Sequence, residues 1–205
     1  MKISKVEPQK KNRNRCSIFI DGEYRFGLSK DLVLKYDIKE DDEIDEDLIK
    51  NVLQEAEKEK IRQRAYKILH YRDRSVQELK NRLLKIGFDQ APVNDVIKNF
   101  IEDKTLDDER FAKAFIRDYT YLKLRGNRFI IRELKKIGLS QETVDAMLKE
   151  RNEKELIKNL MERKLKHLNR KDPKERGKII RSLLSRGFTP DLVYDFLNAD
   201  VEDQT

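Results

Sequence analysis

The sequence has 205 residues, 41% charged and 38% hydrophobic, with 46 lysines and arginines against 39 acids for a formal net charge of +7. An apolar share below the globular norm beside so large a charged share excludes one thick core and favours thin helical layers with broad solvated faces. The single cysteine, Cys16, excludes an internal disulfide and a thiol-rich metal site; no apolar run approaches the ~20 residues of a membrane span, and no apolar stretch follows the basic N-terminus as in a secretory signal, so a cytoplasmic protein is expected.

The chain opens on β structure. Cys16-Ser17-Ile18-Phe19-Ile20 and Glu23-Tyr24-Arg25-Phe26-Gly27 are joined by Asp21-Gly22, whose residues both tolerate positive φ, and this predicts a hairpin. Alternation places Ile18 with Ile20 on one face and Tyr24 with Phe26 on one face. Ile3 to Val6 can add a third strand, and a helix must cover so small a sheet. Ser29 is placed to cap that helix, which carries Leu32, Val33 and Tyr36. Residues 37–47 hold eight acids and one lysine. They read as a turn and an acidic helix start, with Asp45, Glu46 and Asp47 at the positive end of the helix dipole. Leu48, Ile49, Val52, Leu53 and Ala56 then recur at helical spacing, and this helix is expected to run into the segment beyond.

From about residue 61 the chain repeats itself. Leu83-x-x-x-Gly87-Phe88 aligns with Leu134-x-x-x-Gly138-Leu139 and with Leu183-x-x-x-Gly187-Phe188. Eight positions before the glycines stand Leu79, Ile130 and Ile179, and six positions after them stand Val93, Val144 and Val193. A period near 50 predicts stacked helical modules. Each copy reads as helix, glycine stop, helix. Ser75-x-x-Glu78 is a capping box, Asp172-Pro173 puts a cap before a first-turn proline, and each glycine stands where the chain must turn left-handed. Ser140 and Thr189 cap the helices that follow. A further helix precedes each middle one, at about residues 61–71, 109–121 and 153–168. The expected fold is mainly α: three tandem three-helix repeats in a curved array behind a small β-hairpin or three-stranded region. The expected segments are 1–44 for the β region with its helix, 45–60 for a charged helical linker, and 61–108, 109–152 and 153–200 for the repeats.

No catalytic set emerges. His70 and His167 are the only histidines, lie in no ligand-spaced cluster and read as helix-surface residues. Phosphate-loop and dinucleotide glycine patterns are absent. Asp107-Asp108 most simply starts a helix. No enzyme activity, metal, cofactor or small-molecule substrate is expected.

The bases are distributed unevenly. Residues 109–136 carry nine bases against three acids, and residues 151–186 carry thirteen against five. Arg125, Arg128, Arg132 and Lys136 are spaced for one helix face, with Lys135 beside them, while Ile130, Leu134 and Ile137 occupy another. Gly126 is expected to start that helix, and free N–H groups beside Arg125 and Arg128 would make an anion site. The plainer reading is a solvated stripe on a lysine-rich protein. Arg170, Lys171, Lys174, Arg176, Lys178 and Arg181 form a second candidate. Arg13 and Arg15, in the basic N-terminal arm, form a weaker third. Tyr119 and Tyr121 interleave with the bases and can stack on nucleobases, although core packing is the simpler use of at least one.

Three stretches carry a resemblance. Arg72-Asp73-Arg74-Ser75-Val76-Gln77-Glu78-Leu79 leads through Leu83 to Gly87-Phe88; Leu106-Asp107-Asp108-Glu109-Arg110-Phe111-Ala112 follows; then come Arg125-Gly126, Ile130, Glu133-Leu134 and Gly138-Leu139. In this order they resemble the RecX family, regulators of the bacterial recombinase RecA. Arg186-Gly187-Phe188 closes the third copy in similar style, and the turn from Leu168 to Lys174 departs most. The resemblance implies tandem three-helix repeats, binding to RecA filaments on single-stranded DNA, and inhibition of ATP hydrolysis and strand exchange. The residues named above are compatible with contacts to the DNA phosphate backbone, and a monomer is expected. A free-standing helix-turn-helix DNA-binding protein is the alternative, and a purely protein-binding scaffold is a third reading.

Overall fold

The structure, a computed structural model, describes residues 1–202, and side chains through residue 199. The chain forms two compact units, Met1–Asp73 with Leu79–Thr105, and Arg74–Glu78 with the residues from Leu106 onward.

The first unit begins with an antiparallel sheet of β1 (Ile3–Pro8), β2 (Arg15–Ile20) and β3 (Glu23–Ser29), in that order. Asp21 and Gly22 both have positive φ, 51° and 89°, as the two-residue turn requires. One expectation changes. Ile18 pairs with Phe26 but Phe19 pairs with Tyr24, so Arg25 is the extra residue of a β-bulge. The bulge keeps Phe26 over the core and sends Tyr24 to the opposite face, edge-on to Phe19 at 5.8 Å.

Helix α1 (Lys30–Lys35) is capped by Ser29, whose hydroxyl accepts from Leu32 N–H, and α2 (Glu46–Tyr71) is capped by Asp45, which accepts from Leu48 N–H. Ile3, Cys16, Ile18, Ile20 and Leu28 of the sheet bury against Leu32, Ile38, Ile44, Val52 and Ala56. The segment expected as a linker and the helix expected at 61–71 are one helix, because no glycine or proline interrupts residues 46–71. Helix α3 (Val76–Ile86) stops at Gly87, φ 106°, before α4 (Gln90–Glu102). Tyr66 of α2 meets Phe100 of α4 at a ring distance of 4.9 Å.

The second unit holds α5 (Asp108–Tyr121), α6 (Asn127–Lys135) and α7 (Gln141–Leu148), then α8 (Glu153–Leu160), α9 (Pro173–Ser185) and α10 (Pro190–Glu202). Asp107, Ser140, Asn152 and Asp172 cap α5, α7, α8 and α9 with side-chain oxygens, and the Thr189 hydroxyl accepts from Leu192 N–H at 3.4 Å. Two cores result, one around Ala112, Ile130, Leu134, Val144 and Leu148, the other around Ile157, Leu160, Ile179, Leu183, Phe188, Val193 and Leu197. Helix α8 does not continue as α-helix to residue 168. Met161–Leu165 is a π-helical turn. Core positions step by four from Leu156 to Leu160 and by five to Leu165, and the wider turn buries Leu165 where regular spacing would bury Lys164.

Candidate nucleic-acid interface

Within the second unit, one device recurs between successive repeats. The first residue of a repeat's opening helix caps the middle helix of the repeat before it. The Asp108 carboxylate accepts from Val76 N–H at 2.8 Å, and the Glu153 carboxylate accepts from Asn127 N–H at 2.7 Å. Ser75, fully buried, completes the first cap by accepting from Glu78 N–H at 3.2 Å. Burial pushes both carboxyls above their ordinary values, against the N–H groups that favour the charged form.

That shift gives the Asp108 cap an unusual pH sign. With the folded value raised, its ionised form carries a penalty above that value, relieved as pH falls through it toward the unfolded value of ~3.9. Asp108→Asn retains an acceptor without the charge and should melt at or above the parent temperature at pH 7. That advantage should shrink on acidification. Asp108→Ala loses the cap and should cost about 1 kcal/mol. Thermal melts of the three proteins between pH 4 and 8 test this; equal losses for both substitutions at pH 7 would show that the acceptor is not what Asp108 supplies.

The joint between the second and third repeats is closer. Gly126 N–H donates to the Arg186 carbonyl at 3.0 Å, and Arg128 N–H to the Gly187 carbonyl at 3.2 Å. A Cβ at Gly126 would overlap the Gly187 carbonyl group and Phe188 N, and one at Gly187 would lie 2.6 Å from Phe129 N and Cβ. Arg151 braces the second repeat's side of the joint. Its guanidinium donates to Thr120 Oγ1 at 2.7 Å, to Asn127 Oδ1 and to the Arg125 carbonyl. Burial pulls Arg151 down and pushes Glu153 up, with their mutual attraction acting against both shifts. Leu124, at φ 50°, is buried in the core of the third repeat.

These contacts revise the expected anion site. The N–H groups of Gly126, Asn127 and Arg128 donate to the Arg186 carbonyl, the Glu153 carboxylate and the Gly187 carbonyl. The α6 N-terminus is therefore a packed joint rather than an open phosphate cradle.

The expected basic face is redistributed as well. Arg128 and Arg132 are exposed on α6, with exposed Lys135 at its end; Lys136 is the C-cap residue and pairs with Glu133 at 2.9 Å. Arg125 precedes the helix and is half-buried. Its guanidinium lies 4.9 Å from the Phe129 ring centre, and Arg132 lies 5.4 Å from the same ring. Phe129 ends a ladder: Phe115 stacks on Tyr119 at 4.2 Å, Tyr119 on Phe129 at 5.1 Å, and Lys123 caps Tyr119 at 4.0 Å. Tyr119 thus packs within the protein, while Tyr121 is 68% exposed. In the third repeat Arg170, Lys171 and Lys174 gather around the α9 N-terminus, with Arg170 5.6 Å from the Phe196 ring. Arg181 is exposed farther along α9, and Arg176 turns to Asn198 Oδ1 at 2.8 Å.

Arg151 and Glu153 were not visible as functional positions, because their partners lie 24 to 31 residues away and leave no periodic signal. His70 and His167 are both exposed. Among the described residues no group of three or more histidines, cysteines and acids is placed to hold a metal ion, and no helix is long and apolar enough to cross a membrane.

Four family models match in chain order: the regulatory protein RecX N-terminal domain over residues 1–45, and the RecX first, second and third three-helix domains over 62–99, 107–148 and 152–197. The regulatory protein RecX of Clostridium botulinum (strain Alaska E43 / Type E3) is 30% identical over 200 residues, 95% of this chain and 93% of that protein. That of Bacillus velezensis is 30% identical over 208 residues, 98% of this chain and 76% of that protein. A crystal structure of regulatory protein RecX shares the fold with a TM-score of 0.73 at 24% identity, covering 97% of this chain and 98% of that one.

Proposed function

The chain belongs to the RecX family of regulatory proteins, and from that premise we propose that it binds RecA filaments on single-stranded DNA and inhibits their ATP hydrolysis and strand exchange. In this role it modulates recombination in DNA repair and the SOS response, as a monomer, without catalysis or cofactor. The observation that carries the reading is the succession of four family domains, in order, along the chain. The exposed bases of the second and third repeats suit a filament that offers phosphate as well as protein, and contacts spread over several modules raise affinity through effective concentration.

The helix-turn-helix alternative finds its bases on the middle helix α6 rather than on the third helices. The third helices α4, α7 and α10 carry, among residues with described side chains, one base, Lys98, beside Asp95, Glu102, Glu142, Asp145, Asp191 and Asp195. Arginine and lysine make the commonest specific groove contacts, so third helices this poor in bases favour the filament reading.

The test is RecA ATPase activity on single-stranded DNA. Stoichiometric protein should suppress it, and an unaltered rate would refute the reading. The expected contact face is Arg128, Arg132 and Lys135, with Arg125, Lys136, Arg170, Lys171, Lys174 and Arg181 around it. Arg128→Glu, Arg132→Glu and Lys135→Glu together should raise the concentration for half-inhibition about tenfold or more. The salt slope should fall by about two if each base meets one phosphate of a single strand. Stability should move by no more than about 0.5 kcal/mol per exposed site. Full inhibition by a correctly folded triple variant would remove this face from the contact.

A further inference from the structure

The N-terminal sheet has a second face that the core does not use. Lys5, Phe19 and Tyr24 meet there across the three strands: Lys5 pairs with Phe19, and Phe19 with Tyr24. Tyr24 is 56% exposed. Its ring stands edge-on to Phe19, and Lys5 Nζ lies 5.9 Å from the Phe19 ring centre. Farther along the same face Ser17 pairs with Gly27, two positions of small or absent side chain. The Arg15 guanidinium lies across them and donates to the Gly27 carbonyl at 2.6 Å; a Cβ on Gly27 would meet Gln9 Nε2 at 2.6 Å and Arg15 Nη2 at 3.3 Å. An aromatic pair and a planar guanidinium thus share one side of the sheet. At that end, Lys10, Lys11 and Arg13 are exposed in the loop joining β1 to β2.

The charge around this face is uneven along the chain. Residues 1–30 hold eight bases and three acids, whereas residues 31–47 hold nine acids and two bases. Two sets of acids border it: Glu7, opposite Ser17 on this face, pairs with Lys5 Nζ at 2.5 Å, and Ile3 N–H donates to the Asp42 carbonyl and Val6 N–H to the Glu40 carboxylate, so the acidic loop runs along the outer edge of β1, away from the basic β1–β2 loop and Arg15.

We propose that this outer sheet face is a binding platform for single-stranded nucleic acid, with Tyr24 and Phe19 taking unstacked bases and Lys10, Lys11, Arg13 and Arg15 taking the phosphates. Exposed rings on a small sheet beside basic side chains offer stacking without sequence preference, because every base has a π-face, and guanidinium planes stack as well. A duplex, whose bases are already stacked, gains nothing from the rings. The platform rests on the N-terminal region alone and needs no recombinase, so it stands or falls apart from the filament reading.

The experiment is fluorescence anisotropy of a labelled oligothymidylate with the full chain and no RecA, across a salt series. Tyr24→Ala should weaken binding at least about fivefold, the lower end of the cost of one base–aromatic stack, and Tyr24→Phe should bind like the parent. Lys10→Glu, Lys11→Glu and Arg13→Glu together should flatten the salt slope by about two. Circular dichroism melting, unchanged in these surface variants, separates lost contacts from lost fold. No parent binding at low salt overturns the platform, as does parent-like affinity in both Tyr24→Ala and the loop variant. RecA ATPase inhibition is measured beside it with the same proteins. Variants that lose inhibition but keep oligonucleotide affinity would make this face a protein contact and overturn the proposal; a parent that binds the oligonucleotide but fails to inhibit RecA refutes the filament reading alone.

Discussion

Gly126→Ala should destabilise the second compact unit by about 3 kcal/mol, the largest loss expected from adding one methyl group to this chain. Gly126 has ordinary extended backbone angles, φ −75° and ψ 164°, so conformational freedom is not its reason. Its reason is proximity. A Cβ there would occupy the space of the Gly187 carbonyl and Phe188 N, which is main chain and cannot rotate aside as a side chain can. Relief would require breaking the Gly126–Arg186 and Arg128–Gly187 hydrogen bonds. For a chain of this size the melting temperature should fall by roughly 6–12 °C. Gly138→Ala supplies the contrast. Gly138 has φ 92° but nothing within 4 Å of an added Cβ, so only left-handed strain of about 1 kcal/mol applies. Calorimetric melts of the two variants check the ordering; equal losses would mean that the close approach at Gly126 does not govern stability. Gly187→Ala meets Phe129 across the same joint, so its loss and that of Gly126→Ala should add to less than their sum in the double variant.

Arg151→Ala should be nearly as damaging, at about 2–4 kcal/mol. The guanidinium serves Thr120, Asn127 and the Arg125 carbonyl, and it offsets the half-buried charge of Glu153. Removing one member of such an arrangement leaves the others unpaired, which costs more than the arrangement is worth relative to apolar packing; the partial exposure of Arg151 keeps the figure below that of a fully buried pair. Arg151→Lys should recover little, because an ammonium cannot direct donors to three separate acceptors as the planar fork does. Denaturant unfolding at pH 7 measures both. If Arg151→Lys matches the parent, charge rather than fork geometry holds the joint.

Much of this architecture could be read from local chemistry. Asp21-Gly22 announced its turn, and Ser29, Asp45, Asp107, Ser140 and Asp172 announced their helices, because each acts within three residues of itself. The glycines at 87, 138 and 187 were legible through their period. What was hidden acts across distance. Gly126 looked like a helix start, yet it answers to Gly187, 61 positions away. Asp108 looked like a second helix-start acid beside Asp107; it does open α5, and it also reaches back 32 residues to Val76. The Arg25 bulge separated Tyr24 from Phe26, expected on one face, because alternation assumes an unbroken ladder. For the candidate interface, charge density pointed to the second and third repeats, but not to which bases stay exposed. Arg125 became a ring partner and Arg128 stayed on the surface because of where α6 begins, and that start is set by the third repeat.

Repeat proteins are ordinarily chains of near-independent modules, each stabilised by its own core and a side-chain interface with its neighbours. The joint at Gly126 and Gly187 departs from that modularity, since it is made of main chain, with Leu124 buried in the neighbouring core and Arg151 bracing it. Neither repeat can open without exposing carbonyl and amide groups that the other satisfies. The second and third repeats are therefore one cooperative folding block, and a chain severed between them would yield two halves, each with an unsatisfied backbone edge.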